Sequence, residues 1–559
     1  MHETERSVKL VIVGGSVAGI TAAKRARRLD EKLDITIIDE SKYLCYPLPA
    51  IPIFSSGRIK KLEAIYSNDE SAFIDVYNIK LLSNHKALEI DRENKIVSVR
   101  NLSSEKKFEI SYDNLILATG SAFKLPKITL KKINNVFTLN NLEESIKIRE
   151  FIEKTSAREI IIVGYCHHAL ITANSFIKDG FEVTIIDKKS FDINEFDPEF
   201  RFLIKDELVK SGVKFYSNTV IKKYIKTAKE TASSIELSNG MTIKSQIIIF
   251  FDNYSANTEL AEKSNLDMGI TGRIKVNEFF QTNKDDNIYA IGSIAETFNK
   301  ITSKPYFSKL AIPVQIQGRI AGSSTANKKL PYPGCLGTCI LKIQNLVFGS
   351  TGLTLRNAQK NEINAFSVTL FIGEKERYTH DNEKLHLKIT INRDDKKIIG
   401  AQVCGSGTSV DKVLDILVTA ISLECHINDL ASFEFSYSPE LSLQRNQINT
   451  LGMIAANMLD KISISKGFEE LLFNNNICFL DVRNKHEYEK AHIDGALWIP
   501  LNELRARIDE VPKDIDIYIY GHIGLRGYVA ERILKGNGFL NVYNIEGGIT
   551  TIKLLEKMG

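Results

Sequence analysis

The stretch Lys9-Leu-Val-Ile-Val-Gly-Gly-Ser-Val-Ala-Gly19 constrains this chain more than any other. A short apolar run that meets a glycine-rich turn reads as a buried strand feeding a helix. Gly14 permits the tight turn, Ser16 is small enough for the backbone to approach a pyrophosphate, and Gly19 lets helix pack on strand. The helix expected from Ile20 to Leu29 points its unpaired N-terminal amides at the phosphates. A second strand, Asp34 to Ile38, ends at Asp39, whose carboxylate is placed to accept hydrogen bonds from a ribose. Strand, turn, helix and strand with its closing acid make one complete dinucleotide-binding unit.

The pattern recurs. Arg158-Glu-Ile-Ile-Ile-Val-Gly164 opens a second unit that closes at Val183-Thr-Ile-Ile-Asp187. Between the two lies Tyr112-Asp-Asn-Leu-Ile-Leu-Ala-Thr-Gly120, and after the second comes Asn287-Ile-Tyr-Ala-Ile-Gly292. This nested order resembles the glutathione-reductase-type architecture, in which one dinucleotide domain is inserted into another. Residues 331–457 read as a mixed α+β region that includes the alternating strand Leu385 to Ile391. A separate small α/β unit follows, opening with Ile477-Cys-Phe-Leu-Asp-Val-Arg483, with Cys478 expected in its core.

Composition excludes several classes. A chain of 559 residues is too long for one core, and a net charge of +4 with no concentrated basic stripe argues against a nucleic-acid partner. Apolar runs such as Ile247 to Phe251 are far shorter than the roughly 20 residues of a membrane span. A polar start followed directly by the first strand leaves no room for a secretory signal, so a cytoplasmic protein is expected. The 7 cysteines are scattered without a CxxC, so neither a disulfide scaffold nor a metal site is expected.

The motifs together resemble coenzyme A-disulfide reductases with a fused rhodanese domain, within the pyridine nucleotide-disulfide oxidoreductases. The resemblance rests on the Gly14 to Gly19 turn, Ala118-Thr-Gly120, Gln317-Gly-Arg-Ile-Ala321 and Gly337-Thr338. It continues in Ser436-Tyr-Ser-Pro439 and Asn449-Thr-Leu-Gly-Met453, then in Asp481-Val-Arg483, Glu487, His492-Ile-Asp-Gly-Ala496 and Gly547-Gly548. It implies an α/β fold with two nested Rossmann-type domains. Residues 1–120 and 250–330 would bind FAD, and 121–249 would form the NAD(P)-binding-like domain. Residues 331–457 would form an α+β dimerisation domain and 458–559 the rhodanese-like domain. A homodimer is implied. FAD contacts fall on Gly14, Ser16, Gly19, Asp39, Thr119, Gly120, Gly292 and Ser293. Contacts to coenzyme A, or to a CoA-linked ligand, fall on Arg25, Arg28, Tyr378 and Tyr437.

The chain departs from that family where its chemistry lies. In Tyr43-Leu-Cys-Tyr-Pro-Leu-Pro-Ala-Ile-Pro52 the reductase cysteine position holds Pro49, which cannot form a mixed disulfide. Cys45 lies nearby, about 13 Å away along an extended loop. In the second turn, Gly164 is kept, but Cys166 and Ala169 replace glycines and Ile171 stands at a glutamate position, which puts NAD(P)H binding at Gly164, Cys166, Ala169 and Asp187 in doubt. His167 and His168 are candidates for a base or donor near the flavin. Ser293 stands where the family has an aspartate, costing a charge but keeping a hydrogen-bonding group. In the rhodanese-like loop, Gly521 stands at the persulfide-carrying cysteine, so persulfide transfer by the usual route is excluded, although the loop amides can still receive an anion.

Three functions are compatible with this pattern: an FAD-dependent oxidoreductase without the cysteine relay, a non-enzymatic FAD- or CoA-binding scaffold or sensor with a docking rhodanese module, and a disulfide reductase that uses Cys45.

Overall fold

The computed structural model describes residues 6–44, 46–65, 75–126, 133–189, 193–227, 231–376, 378–380, 382–467 and 477–558. The chain divides into two compact units, residues 1–192 with 208–337, and residues 193–207 with 338–559.

In the first unit the apolar runs pair as parallel strands. Lys9–Val13 lies between Asp34–Ile38 and Asn114–Leu117, and Ile79–Leu82 and Asp285–Ala290 extend the sheet on either side. A second sheet places Glu159–Val163 between Glu182–Ile186 and Ile247–Phe250. Ser121–Phe123 pairs antiparallel with Tyr254–Ala256. These short strands are the two chain crossings by which the second sheet's segment leaves and re-enters the first, so the nested order expected from the motifs is the observed one. The first helix runs over Val17–Leu29, starting immediately after Ser16, whose extended backbone makes it the N-cap. It packs against Ala311–Ser324, and the approach is close. A side chain at Gly318 would put its Cβ 2.5 Å from the Ala18 carbonyl oxygen, and one at Gly322 would come within 2.3 Å of that of Ala22. That contact accounts for the glycine in Gln317-Gly-Arg-Ile-Ala321.

The second unit holds an antiparallel five-stranded sheet ordered Cys339–Ile343, Leu346–Gly352, Ile398–Gly405, Lys384–Asn392, Ala365–Gly373. Its alternating strand ordinarily would have one wet face. Here both faces are buried, with His386, Lys388 and Thr390 as inaccessible as the leucines and isoleucines between them. The segment preceding and starting the helix Pro198–Lys210 covers the polar face. Lys388 Nζ pairs with Asp197 Oδ2 at 2.9 Å and Glu199 Oε1 at 2.7 Å, all three side chains buried. Burial alone would lower the Lys388 pKa, but the two carboxylates overcome it and hold the ammonium charged.

Asn449 donates its side-chain amide to the Leu430 and Phe433 carbonyls, fastening helix Gln447–Leu459 to Ile427–Ser432. The C-terminal part is a parallel sheet ordered Ser465–Lys466, Val542–Ile545, Asp516–Tyr520, Ile477–Asp481, Leu497–Trp498. Cys478, expected in the core, is half-buried, because only Leu480 and Asp481 of its strand reach the domain interior. Asp481-Val-Arg483 is a structural motif: Arg483 Nη2 bonds Asp481 Oδ2 at 2.6 Å and the Ala491 carbonyl at 2.7 Å.

Candidate functional site

The first turn has the conformation its glycines were expected to provide. Gly14 sits at φ +115°, outside the range of ordinary side chains, and a Cβ there would lie 2.1 Å from the Ala118 carbonyl oxygen. A Cβ on Gly19 would lie 1.9 Å from the Gly14 carbonyl oxygen, so helix and turn touch backbone to backbone. Ser16 is exposed, its side chain caps nothing, and the first helical turn carries no acidic residue. That is a helix N-terminus open to an anion. Asp39 accepts from the Gly15 amide through Oδ2 at 2.5 Å and from the Ser41 amide through Oδ1 at 2.7 Å. Burial pushes its pKa up, against the pull of those two amides.

Beyond the turn, Thr119 and Asn257 bind each other reciprocally. Thr119 Oγ1 donates to the Asn257 carbonyl at 2.7 Å, and Asn257 Nδ2 to the Thr119 carbonyl at 2.9 Å. Gly120 follows at φ +70°. The Gly292 amide donates to Gln317 Oε1 at 2.7 Å. Ser293, buried, meets Ser121 with hydroxyl oxygens 2.8 Å apart, and its carbonyl accepts from Arg273 Nε at 3.2 Å. The serine at the aspartate position is thus held within a neutral hydroxyl pair. These groups fit an FAD: a Cβ-free cradle, an open helix end without acidic neighbours, a carboxylate beside the turn, and hydroxyls beyond it.

The second turn keeps its shape despite the substitutions. Gly164 is at φ +108°. Cys166 has ordinary extended backbone (φ −137°) and is the N-cap of helix His167–Lys178, so losing glycine there introduces no strain. Ala169 is fully buried, and Asp187 is buried at the end of its strand. The first turn of this helix carries no acidic residue. His167 and His168 are half-buried beside an aromatic group: His168 meets Phe123 edge to face at 5.6 Å, and Phe123 contacts Phe251 and Tyr254. Burial first, then the nearby charge of Lys309, lowers His167 to about 4. Burial, with His167 and Lys309, does the same to His168. Both imidazoles are therefore neutral at pH 7, and His168 Nδ1 has no hydrogen-bond partner among the described residues.

The remaining expected positions are dispersed. Cys45 lies outside the described residues. Pro49 is exposed and caps the short helix Ala50–Ser55. Arg25 donates from Nε to Ser323 Oγ at 2.9 Å, and burial together with the charges of Arg319, on the helix Ala311–Ser324, and Arg28 lowers its pKa. In the second unit, Tyr378 and Tyr437 are exposed, and burial first, then nearby Tyr378 and Glu376, push the Tyr437 hydroxyl's pKa up. Gly521 ends the strand Asp516–Tyr520, and its carbonyl accepts from the Ile549 amide. Arg526, at the start of helix Leu525–Gly536, binds both oxygens of Glu487 at 2.6 and 2.7 Å, which lowers Glu487 to about 2.

Sequence reasoning missed Asn257, Phe123, Tyr254, Lys309 and Arg319. Only Arg319 lies in a quoted motif, Gln317-Gly-Arg-Ile-Ala321, which gave it no role of its own, and each reaches its neighbours only through the chain crossings or the helix packing. Among the described residues, no group of three or more His, Cys, Asp or Glu is arranged to hold a metal ion, and no helix is long and apolar enough to cross a membrane.

Comparison with known proteins agrees with this architecture. Residues 8–313 match the pyridine nucleotide-disulphide oxidoreductase family, residues 340–447 its dimerisation domain, and residues 466–554 the rhodanese-like domain. The chain is similar to the reduced Bacillus anthracis CoADR-RHD, at 27% identity, TM-score 0.94 and 99% coverage of both chains. It is similar to an NAD-dependent persulfide reductase from A. fulgidus, at 29% identity and TM-score 0.89, covering 97% of this chain and 100% of the other. It also resembles a coenzyme A disulfide reductase of Staphylococcus aureus, 28% identical over 446 residues that span 79% of this chain and 99% of the relative. Two nested dinucleotide folds, a dimerisation domain and a rhodanese-like domain thus come together in one chain, which belongs to the pyridine nucleotide-disulphide oxidoreductase family.

Proposed function

We propose that this protein is an FAD-dependent oxidoreductase of the coenzyme A disulfide or persulfide reductase type in which electrons pass between flavin and substrate, or NAD(P)H, without a cysteine relay. The observation that carries this reading is the intact cradle around Gly14, Gly19 and Asp39, set against Pro49 and Gly521 at the two positions where the resemblance places sulfur. Bound FAD would supply the two-electron chemistry. The helix starting at Val17 would hold its pyrophosphate, with Ser16 letting the phosphates approach. Asp39, kept in place by the Gly15 and Ser41 amides, would hold the ribose. Thr119, Gly120, Gly292 and Ser293 would meet the flavin side. His167 and His168, neutral and half-buried, are suited to take or give a proton at a ring nitrogen. NAD(P)H would use the second turn, whose Gly164 conformation tolerates Cys166. Arg25, Arg28 and Arg319 supply charge for the phosphates of a CoA-type substrate, and Tyr378 and Tyr437 would meet it from a partner copy.

The test is the visible spectrum of the purified protein, followed by anaerobic titration with NADH and NADPH, in parallel with Cys45→Ser. A yellow protein bleached equally in both forms supports the proposal. Bleaching lost in Cys45→Ser assigns the reaction to a relocated cysteine relay instead, and a colourless protein that takes up no FAD supports the non-enzymatic scaffold.

A further inference from the structure

The two glycine turns are held by the same backbone hydrogen bonds, so their positions correspond one to one. The Gly14 amide donates to the Ile38 carbonyl at 2.8 Å, and the Ala118 amide to the Val13 carbonyl at 2.7 Å. In the second turn the Gly164 amide donates to the Ile186 carbonyl at 2.8 Å, and the Phe251 amide to the Val163 carbonyl at 2.7 Å. Thr119 follows Ala118, and Asp252 follows Phe251. A neutral hydroxyl, bonded to the Asn257 carbonyl, therefore borders the first turn, whereas a carboxylate borders the second. Asp252 is half-buried, and its Oδ1 would lie 3.2 Å from a Cβ on Gly164.

Asp252 Oδ2 pairs with Lys188 Nζ at 3.5 Å. Lys188 is the second residue past the strand Glu182–Ile186, and Asp252 the second past Ile247–Phe250. Those two strands flank Glu159–Val163, all three parallel. The ion pair thus reaches across the carboxyl end of the central strand, where an open α/β sheet receives its ligand. Asp187 already matches Asp39 at the strand end, so Asp252 is an additional acid of the second turn. A doubly negative pyrophosphate at the amides of helix His167–Lys178, whose first turn carries no acid, would be repelled by Asp252. Lys188 cancels that repulsion while it stays at ion-pair distance.

We infer that Asp252 and Lys188 form a charge pair that sets the affinity of the second turn for a pyrophosphate-bridged nucleotide. Asp252 opposes binding, and Lys188 restores it by neutralising Asp252. The inference rests on the reading that NAD(P)H uses this turn. It assigns roles to two residues outside both the glycine pattern and the strand-end acid, and it makes the two partners act with opposite signs.

The full-length protein, saturated with FAD so that the first turn is occupied, is titrated calorimetrically with ADP-ribose, which carries the pyrophosphate but cannot transfer a hydride. Asp252→Asn is expected to bind about threefold to tenfold more tightly than the parent, and Lys188→Gln more weakly by a similar factor, as one charge gained or lost beside a pyrophosphate in a partly wet crevice requires. The double variant should return close to the parent value. In about 1 M salt, where the screening length falls to about 3 Å, the differences should largely vanish. A merely structural role would move both single variants in the same direction and survive the salt. Equal affinities of the parent and Asp252→Asn, shifts of one sign, shifts that persist in salt, or no ADP-ribose binding by any form overturn the assignment. NADH titration of the same samples tests the underlying reading separately. Tighter ADP-ribose binding by Asp252→Asn without bleaching of the flavin refutes electron transfer from NADH and leaves the charge pair standing.

Discussion

The amide of Gly15 donates to the carboxylate of Asp39 at 2.5 Å, tying the first glycine turn to the end of the second strand. The acid that closes the dinucleotide motif therefore also shapes the turn. Replacing Asp39 by Asn keeps the size and removes the charged acceptor. Asp39→Asn is expected to weaken FAD binding about tenfold or more, as loss of a charge-assisted hydrogen bond of about 1.5–3 kcal/mol requires. Flavin content after dialysis, read from the visible spectrum, checks it.

The neutral histidines set a pH window. His167 and His168 are lowered from 6.5 to about 4 by burial, so below about 6.5 the unfolded chain takes up protons that the folded one refuses. Stability is expected to be full above that pH and to fall progressively toward pH 4. Thermal unfolding across this range is the measurement, and His167→Gln, His168→Gln should flatten the decline.

The contact between the helices Val17–Leu29 and Ala311–Ser324 admits no side chain at Gly318. Gly318→Val is expected to destabilise the first unit by about 1–3 kcal/mol through overpacking, and more if the helices cannot separate. A lowered unfolding temperature together with faster flavin release would show it; an unchanged melting curve would contradict the packing described.

Lys388 neutralises two buried carboxylates, Asp197 and Glu199. Lys388→Met leaves both without a counter-charge and is expected to cost about 3–5 kcal/mol. The triple replacement of all three by apolar residues should recover much of that loss, which denaturant titration of the three forms can compare.

Gly521 has no left-handed backbone, and an added Cβ meets Arg526 Cβ at 3.0 Å, a contact relieved by a small shift. Gly521→Cys is therefore expected to fold and to place a thiol among the loop amides. Mass spectrometry after incubation with thiosulfate should find an added sulfur on the variant at this position and none on the parent.

The dinucleotide units were legible in the sequence because their signals are local. Strand, turn and helix at Gly14 and Gly164 follow from apolar runs broken by glycine, and the nested order follows from repeating that signal. The strand Leu385–Ile391 was legible as a strand but not as a strand buried on both faces. Its polar residues are covered by Asp197, Glu199 and Phe200, which are distant in sequence.

What the sequence determined by itself is the chain's architecture and the identity of the residues at its motif positions, Pro49 and Gly521 included, because backbone conformation and periodic burial are written in neighbouring residues. Only the tertiary structure decided that Asp39 holds the Gly15 amide, that Ser293 pairs with Ser121, and that His386 is buried between Phe200 and Phe371. Those relationships depend on which distant segments share a boundary, and hydrogen bonding and burial are settled by that proximity rather than by spacing along the chain.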